Sequence, residues 1–335
     1  MHDSHQEIRD ALKVNFLGLI PCALKVPFEE RLDQFVEAHP AYASKTLAVV
    51  ANANRQLDYF EVVDQLENPD DLPEIFIAPG FNGFYNHHFM RHMKDTGVYQ
   101  TLNQQENCPQ ALRDAGVLDP EGHYTLLGFN PTLLMVDRTF HQDLPVPRRW
   151  EDLLDPVYEG KVAIRGHNDE DFCEGILLNV YQEHGMEGVA QMGRSLKMGL
   201  HPAQMVKMAG KGKAEAPAVA AIPYSFSKLI RETDQVTLVW PEDGAILNPI
   251  TCLVKQGAQK TMPELCQLLA SDEMAAILSG VGFPPVNAHT ATGLPGEITY
   301  KWLGWDFLRN HSLEDLKDQT NQVFVQAFRE VSSCD

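Results

Sequence analysis

Strand-like and helix-like segments alternate over the first quarter of the chain, and this order limits the possible folds more than any other pattern. Apolar runs typical of strands occur at residues 12–22, 46–54 and 74–83, and segments with helical spacing separate them at residues 27–40 and 57–67. A β-α-β-α-β order predicts a parallel sheet with helices on both faces. Ligands of such α/β sheets bind at the carboxyl ends of the strands, so the residues just beyond each run are the first candidates for a site.

Two long extended runs, near residues 123–137 and 235–254, bracket a middle block that has an α/β pattern of its own. A chain needs two such runs to cross from one domain into another and back again. We therefore expect two lobes with a cleft between them and hinge strands at the two runs. Lobe 1 is expected to comprise residues 1–130 and 246–335, and lobe 2 residues 131–245.

The composition is that of a globular, acidic protein. The chain has 335 residues, 44 % of them hydrophobic, and a formal net charge of −19. A protein that neutralises nucleic-acid phosphates needs a basic face, and none is evident in the sequence, so we expect no nucleic-acid partner. An acidic surface suits either a cationic ligand or simple solubility.

The sequence carries no segment with the roughly 18 apolar residues of a membrane span, so we expect no insertion into a membrane. The start, MHDSHQEIRDALKV, does not have the basic start followed by an apolar run that is typical of a signal peptide. Two locations stay open: periplasmic or otherwise extracytoplasmic if a leader has been removed, and cytoplasmic if not. The cysteines lie far apart without a C-x-x-C pair, which argues against a zinc knuckle and favours a reducing compartment.

Several residues after the third apolar run and in the two crossing runs are candidates for ligand contact. Phe81, Asn82 and Tyr85 follow the third apolar run, and an aromatic wall with an amide is a common way to hold a small polar solute. Asn130 lies in the first crossing run and Asp243 in the second. Their side chains are candidates for the hinge or the cleft floor, although ordinary turn chemistry also explains Asp243.

A histidine group after the same apolar run is a candidate metal site. In a helix, His88 and His92 would lie four residues apart on one face, a spacing that can bind a transition metal. No acidic third ligand stands at a matching position. A polar helix face without a metal is the alternative explanation.

Three segments between residues 148 and 287 resemble one family. They are RRWEDLLDPVYEGKVAIRG at residues 148–166, WPEDGAILNPITCLVKQGA at 240–258 and SDEMAAILSGVGFPPVN at 271–287. Their order and spacing are similar to those of type II periplasmic solute-binding proteins of ABC transporters, in the cluster that includes ferric-iron, polyamine, phosphonate and sugar-phosphate binders. The resemblance implies two α/β lobes, each a mixed and mostly parallel sheet flanked by helices, which close on a ligand and present it to a membrane permease.

The resemblance adds a second set of candidate ligand residues. Tyr224 and Ser225 follow the apolar strand AVAAIP, which the resemblance places at the cleft, where a phenolate could bind Fe(III) or a neutral hydroxyl could bind a polar solute. Packing of Tyr224 on the following helix is the alternative. Ferric-iron binders of this cluster usually have two adjacent tyrosines here, and this chain departs from that pattern because Ser225 follows Tyr224.

A further candidate segment is the end of the strand and the loop that precede a predicted helix start near Asn168; its residues are Arg165, Gly166, His167, Asn168 and Asp169. Free backbone N–H groups at a helix start favour an anion. The acidic residues that follow would oppose an anion, so a cation or a neutral polar group is the expected ligand. Simple capping of the helix is the alternative.

Taken together, these features predict a protein that captures a small polar solute or a metal ion, with ferric iron as one candidate, by closing two lobes. A metal ion or a small anion would be its ligand, and no cofactor is required. An enzyme or an intracellular ligand sensor on the same architecture is the alternative. The sequence lacks a G-x-S-x-G elbow, a phosphate-binding Walker loop, a G-x-G-x-x-G fingerprint and an H-E-x-x-H pair, which argues against an enzyme.

Overall fold

The fold was analysed in a computed structural model. It describes residues 2–51, 56–167, 171–212, 215–287 and 298–332. In this part of the chain, no helix is both long and apolar enough to cross a membrane.

Two strands of the described chain are much longer than the others, and they lie where the sequence predicts the crossing runs. These are β4, with 13 residues, and β11, with 10 residues. In chain order the strands are β1 (Phe16–Ile20), β2 (Leu47–Ala51), β3 (Ile75–Pro79), β4 (Thr125–Asp137), β5 (Val162–Ile164), β6 (Gly166–His167), β7 (Asp171–Phe172), β8 (Leu196–Gly199), β9 (Val219–Pro223), β10 (Val236–Val239), β11 (Ala245–Val254) and β12 (Tyr300–Lys301).

Helices separate most of the strands, and the longest ones lie in the second half of the chain. In chain order they are α1 (His2–Ala11), α2 (Cys22–Ala38), α3 (Gln56–Val63), α4 (His87–Phe89), α5 (Gln110–Asp114), α6 (Glu174–Ser195), α7 (Pro202–Met208), α8 (Tyr224–Ser227), α9 (Ala258–Thr261), α10 (Pro263–Leu269), α11 (Asp272–Gly280), α12 (Trp305–Asn310) and α13 (Leu313–Ser332). A π-helical turn, Met90–Lys94, continues α4. Short 3-10 helices occupy Pro40–Ser44, Pro69–Asp71, Gly83–Tyr85, Gln105–Asn107, Glu151–Leu154 and Pro156–Tyr158.

The chain forms two compact units, and β4 and β11 each have residues in both. Unit 1 comprises Met1–Phe129, Asn248–Leu294 and Trp305–Leu313; unit 2 comprises Asn130–Leu247, Pro295–Gly304 and Glu314–Asp335.

Unit 1 is built on the parallel strands that the first quarter of the sequence predicts. Strand β1 pairs in parallel with β2 and β3, and β11 joins antiparallel to β3. All side chains of β1 are buried, which is typical of a strand covered on both faces. Helices α2, α10 and α11 pack with this sheet in one apolar core.

Helix α2 begins earlier than the sequence suggests. The prediction places its start at Pro27, whereas the helix begins at Cys22, directly after Pro21, and contains Pro27 within it. Its buried side chains, which include Leu24 and Phe28, recur at helical spacing and anchor the additional turn in the core.

Unit 2 has a sheet of mixed direction. Strands β9 and β8 pair in parallel with β5, while β4 pairs antiparallel with both β9 and β10. Strand β12 adds to the first residues of β11 in parallel. Apolar cores form around β5 and β9, and the cores include side chains from α6, α7 and α13.

Helix α13 lies in unit 2, although the sequence-based boundaries assign the whole C-terminal segment to lobe 1. Phe324 and Val325 belong to the same core as Phe172, and the rings of Phe172 and Phe324 lie 4.8 Å apart. The boundary differs because the apolar face of α13 packs against partners that are distant in sequence, which helical spacing alone does not identify.

The helix predicted to begin near Asn168 begins instead at Glu174, with Cys173 at its N-cap position. Before it, the backbone of β6 pairs antiparallel with that of β7. Phe172 is buried in the core of unit 2, so this residue forms part of a strand rather than of the first helical turn.

Candidate ligand-binding site

The end of β9 presents polar side chains immediately after a buried strand. Val219 to Ile222 are buried, and Pro223 ends the strand, since proline has no N–H to donate to a sheet. The one-turn helix α8 then begins with Tyr224, which is partly buried. Tyr224 therefore lies at a carboxyl strand end, where the sequence predicts it.

Three aromatic side chains, Tyr224, Trp240 and Tyr300, form what we call the aromatic cluster of unit 2. The ring centroids of Tyr224 and Trp240 are 5.9 Å apart with an interplanar angle of 72°, and those of Trp240 and Tyr300 are 5.7 Å apart at 67°. These are edge-to-face contacts, the arrangement that the charge distribution of aromatic rings favours. All three side chains are partly buried, so the cluster combines an apolar surface with two phenol groups.

Polar groups adjoin the cluster. The Ser225 hydroxyl, in α8, donates a hydrogen bond to Asn130 Oδ1, in β4, over 3.4 Å, so two predicted site residues from different elements meet here. The Nζ atom of Lys228 lies 5.2 Å from the centroid of the Tyr224 ring. This is within the range of a cation–π contact, and it brings positive charge to the cluster.

Burial raises the pKa of Tyr224. Burial also raises the pKa of Tyr300, and the nearby phenol of Tyr224 adds to the increase. Both hydroxyls are therefore protonated at neutral pH and available as hydrogen-bond donors.

The side chain of Asp243, a predicted site residue, forms hydrogen bonds and an ion pair within unit 2. Its carboxylate accepts hydrogen bonds from the backbone N–H of Trp150 at 3.3 and 3.4 Å and forms an ion pair with Lys301 Nζ at 2.9 Å. The side chain is 11 % exposed. Its role in the structure is to hold the turn before β11 in place.

Phe81, Asn82 and Tyr85, which are predicted ligand contacts, are buried within unit 1. Phe81 is 1 % exposed, and the Tyr85 hydroxyl, fully buried, lies 2.6 Å from Thr251 Oγ1. Asn82 Oδ1 accepts a hydrogen bond from the N–H of Phe84 at 2.9 Å and so caps the short helix that follows. In this structure the three side chains stabilise unit 1.

The predicted loop after β5 is only partly described. Arg165 is exposed, with Nη2 at 3.5 Å from Glu174 Oε2. Gly166 pairs with Phe172, and a Cβ atom at Gly166 would lie 2.7 Å from the Phe172 ring, so a larger residue does not fit there. The backbone of His167 belongs to β6, whereas its side chain, and all of residues 168 and 169, lie outside the described residues; the predictions for Asn168 and Asp169 therefore concern positions beyond them.

The rings of His88 and His92 are stacked, with centroids 4.4 Å apart and an interplanar angle of 26°. His88 Nε2 lies 3.4 Å from the carbonyl oxygen of Leu66, and His92 Nδ1 lies 3.0 Å from that of His88. A shared metal needs ring nitrogens that converge on it at about 2.0–2.1 Å, whereas stacked rings hold their nitrogens side by side. Within the described residues, no group of three or more His, Cys, Asp or Glu side chains is placed to bind a metal ion.

Comparison with known proteins identifies the family. A sequence profile described as bacterial extracellular solute-binding protein matches residues 70–311, which is more than half of the chain. The chain belongs to this family. No curated protein sequence matches.

Among solved structures, the fold of this solute-binding protein is similar to that of a Trichodesmium protein, IdiA or FutA, in complex with iron and citrate ligands. The TM-score is 0.62 at 15 % identity, and the match covers 92 % of this chain and 98 % of the other. The apo ferric ion-binding protein A of Pasteurella haemolytica gives a TM-score of 0.59 at 12 % identity, covering 96 % and 98 %. An ABC transporter structure from Clostridium perfringens gives 0.61 at 14 %, covering 92 % and 99 %. The predicted fold, that of type II periplasmic binding proteins, is confirmed, as is the prediction of a solute-binding function.

Sequence reasoning missed two members of the aromatic cluster of this solute-binding protein. Trp240 stands in one of the segments that carry the family resemblance, directly before Pro241 and the turn to β11, so its position at a strand end was a usable signal. Tyr300 gave no such signal, because it reaches the cluster through the pairing of β12 with β11.

Proposed function

We propose that unit 2 of this solute-binding protein contacts a small polar solute through the aromatic cluster, which includes Tyr224, and through the neighbouring Ser225 and Asn130. The observation that carries the proposal is the aromatic cluster at the carboxyl end of β9. It combines ring surface, two protonated phenols and a nearby lysine, and binding sites for small molecules typically pair such apolar walls with a few polar groups.

We further propose that ferric iron, bare or as a complex with a carboxylate, is a candidate solute. The support is the phenol group of Tyr224, which becomes a hard phenolate donor when it loses its proton to bind Fe(III), and the iron-binding proteins among the structures of similar fold. Iron would be the cargo of the protein rather than a resident cofactor.

The proposal includes export, delivery of the solute to an ABC permease, and the absence of catalysis. The support is the family, which consists of extracellular solute-binding proteins.

A thermal-shift screen tests the function. The solutes are ferric and divalent metal salts, phosphate, sugar phosphates, polyamines and carboxylates, each added to the full chain. A ligand at about a hundred times its Kd stabilises a protein by roughly 2.7 kcal/mol, which is readily measured. If none of these raises the unfolding temperature while a test substrate is turned over, the protein is an enzyme and the proposal fails.

Tyr224→Phe then tests the site. The substitution removes one hydroxyl and keeps the ring contacts with Trp240, so we expect the stabilisation by the identified solute to fall while the protein without solute unfolds at nearly the same temperature. Tyr158→Phe is the control, since Tyr158 also lies in unit 2 and donates its hydrogen bond to Pro145 O at 2.8 Å. Equal solute affinity in wild type and Tyr224→Phe would remove this hydroxyl from the site.

A further inference from the structure

Residues 299–301, which we call the strap, are tied to unit 2 on both sides of Tyr300. On one side, Thr299 O accepts a hydrogen bond from Trp240 Nε1 at 2.7 Å. On the other, Lys301 Nζ lies 2.6 Å from Glu183 Oε2 and 2.9 Å from Asp243 Oδ2, and the lysine side chain is only 9 % exposed. A buried lysine with two carboxylate partners is costly to displace, so the strap is firmly anchored.

The backbone also holds Tyr300 in place. Its strand pairs with the start of β11 in a register that sets Tyr300 opposite Ala245. Gly244, with φ at 104°, approaches so closely that a Cβ atom there would lie 2.5 Å from the carbonyl carbon of Tyr300. Only glycine tolerates both that φ and that approach.

The Tyr300 hydroxyl oxygen is buried and has no hydrogen-bond partner among the described residues. Other buried tyrosine hydroxyls do have partners: Tyr158 donates to Pro145 O, and Tyr124 donates to Phe84 O. Buried polar groups are nearly always hydrogen-bonded because leaving one unpaired is destabilising, so an exception requires an explanation.

Position distinguishes Tyr300 from Tyr99, whose hydroxyl is also buried and unpaired. Tyr99 lies in unit 1, where its ring packs against that of Phe89. Tyr300 contacts Trp240 within the aromatic cluster, and its hydroxyl is close enough to Tyr224 for the two phenols to interact electrostatically.

We propose that Tyr300 is a ligand-binding residue whose hydroxyl donates a hydrogen bond to a carboxylate oxygen of the solute. This inference rests on the proposed function and names the chemical class of the solute. A carboxylate fits because the charged group beside Tyr224 is Lys228, while the carboxylate of Asp243 is paired with Lys301. Since the Tyr300 hydroxyl is covered, the solute reaches it only when a neighbouring group moves.

The proposal predicts effects of opposite sign for one substitution. Tyr300→Phe removes a hydroxyl that makes no hydrogen bond, so the protein without solute should unfold at the same temperature as wild type or higher. The same substitution removes a donor to the solute and should weaken its binding about tenfold. A hydroxyl kept for function at the expense of stability shows this combination.

The experiment is isothermal titration calorimetry of the full chain with citrate and, separately, with ferric citrate, together with thermal unfolding without solute. Tyr158→Phe is the matched control: it loses a satisfied hydrogen bond, so it should unfold at a lower temperature and bind the probe as tightly as wild type. Binding of both probes would identify the carboxylate itself as the recognised group, and binding of ferric citrate alone would identify the metal-bound carboxylate. In either case Tyr300→Phe should weaken the binding.

Three results would overturn the inference. If Tyr300→Phe binds the probe as tightly as wild type, the hydroxyl does not contact the solute. If the variant unfolds at a lower temperature, as the control does, the hydroxyl has a structural partner. If neither probe binds while another solute in the thermal-shift screen does, the carboxylate assignment is wrong but the proposed function stands; if no solute binds at all, both fail.

Discussion

At the scale of single residues, glycines decide where side chains of the candidate site can lie. Gly166 allows the backbone of β6 to pass the ring of Phe172, and Gly244 allows the strap to approach the turn before β11. Neither glycine is marked by its local sequence as more than an ordinary turn residue. The requirement arises from what lies opposite each of them in the fold.

We predict that Gly244→Ala destabilises the protein and disturbs the aromatic cluster. Its φ of 104° is strained for alanine, and the added Cβ would lie 2.5 Å from the carbonyl carbon of Tyr300 and 2.8 Å from the N atom of Lys301. Strain of this kind costs about 1–3 kcal/mol, and the clash adds to it. Urea unfolding followed by tryptophan fluorescence measures the loss.

Gly160→Ala is the matched control for this substitution. Gly160 also has a positive φ, 62°, but apart from its chain neighbours no described residue lies within 4 Å of the position of its Cβ. We expect Gly244→Ala to be the more destabilising of the two. Equal losses would mean that the close approach of the strap contributes nothing.

At the scale of secondary-structure elements, α13 shows how a helix can belong to a unit that its position in the chain does not suggest. Its Phe324 is fully buried against Phe172, and the backbone of Phe324 comes within 2.5 Å of the place where a Cβ of Gly193 in α6 would lie. The two helices are therefore in close contact, and unit 2 is incomplete without the C-terminal segment.

Phe324→Ala should accordingly destabilise the protein by about 3–5 kcal/mol, the usual cost of removing a buried aromatic side chain. Gln322→Ala, at an exposed position of the same helix, should change the free energy of unfolding by less than about 0.5 kcal/mol. Chemical denaturation of both variants provides the measurement. A small effect of Phe324→Ala would show that α13 does not complete this core.

At the scale of the whole molecule, acidic residues affect stability in two opposing ways. The net charge of −19 produces self-repulsion that protonation relieves. Individual carboxylates act in the other direction: the hydrogen bond from Lys94 lowers the pKa of Glu121, and that from Arg31 lowers the pKa of Glu273. A carboxylate with a lowered pKa contributes stability above its unfolded-state pKa of about 4.3 and loses it as the pH falls through the folded-state value.

The double variant Glu121→Gln and Glu273→Gln separates the two effects. At pH 7 it should be less stable than wild type, because two charge-assisted hydrogen bonds are weakened. The difference should shrink as the pH falls through the lowered folded-state pKa values of the two carboxylates, since the wild-type side chains become protonated there. Free energies of unfolding measured from pH 7 to pH 3 test this; a difference that is independent of pH would rule out the charge of these carboxylates as its source.

The amino-acid sequence by itself determined the parallel order of the first strands, the two long strands shared by both units, and the family. These features are encoded in local periodicity and in the order of segments, which can be read without knowing what each segment contacts. It also placed Tyr224 and Ser225 at a strand end, and the structure brings Ser225 to Asn130.

Only the tertiary structure decided which of the candidate side chains are buried and which meet. In the folded protein Phe81 and Tyr85 are buried and Asp243 forms an ion pair with Lys301. Trp240 and Tyr300 form the aromatic cluster with Tyr224. The physical reason is that these outcomes depend on the register between strands far apart in sequence. Tyr300 reaches the cluster because β12 pairs with β11, and no pattern within either segment specifies that pairing.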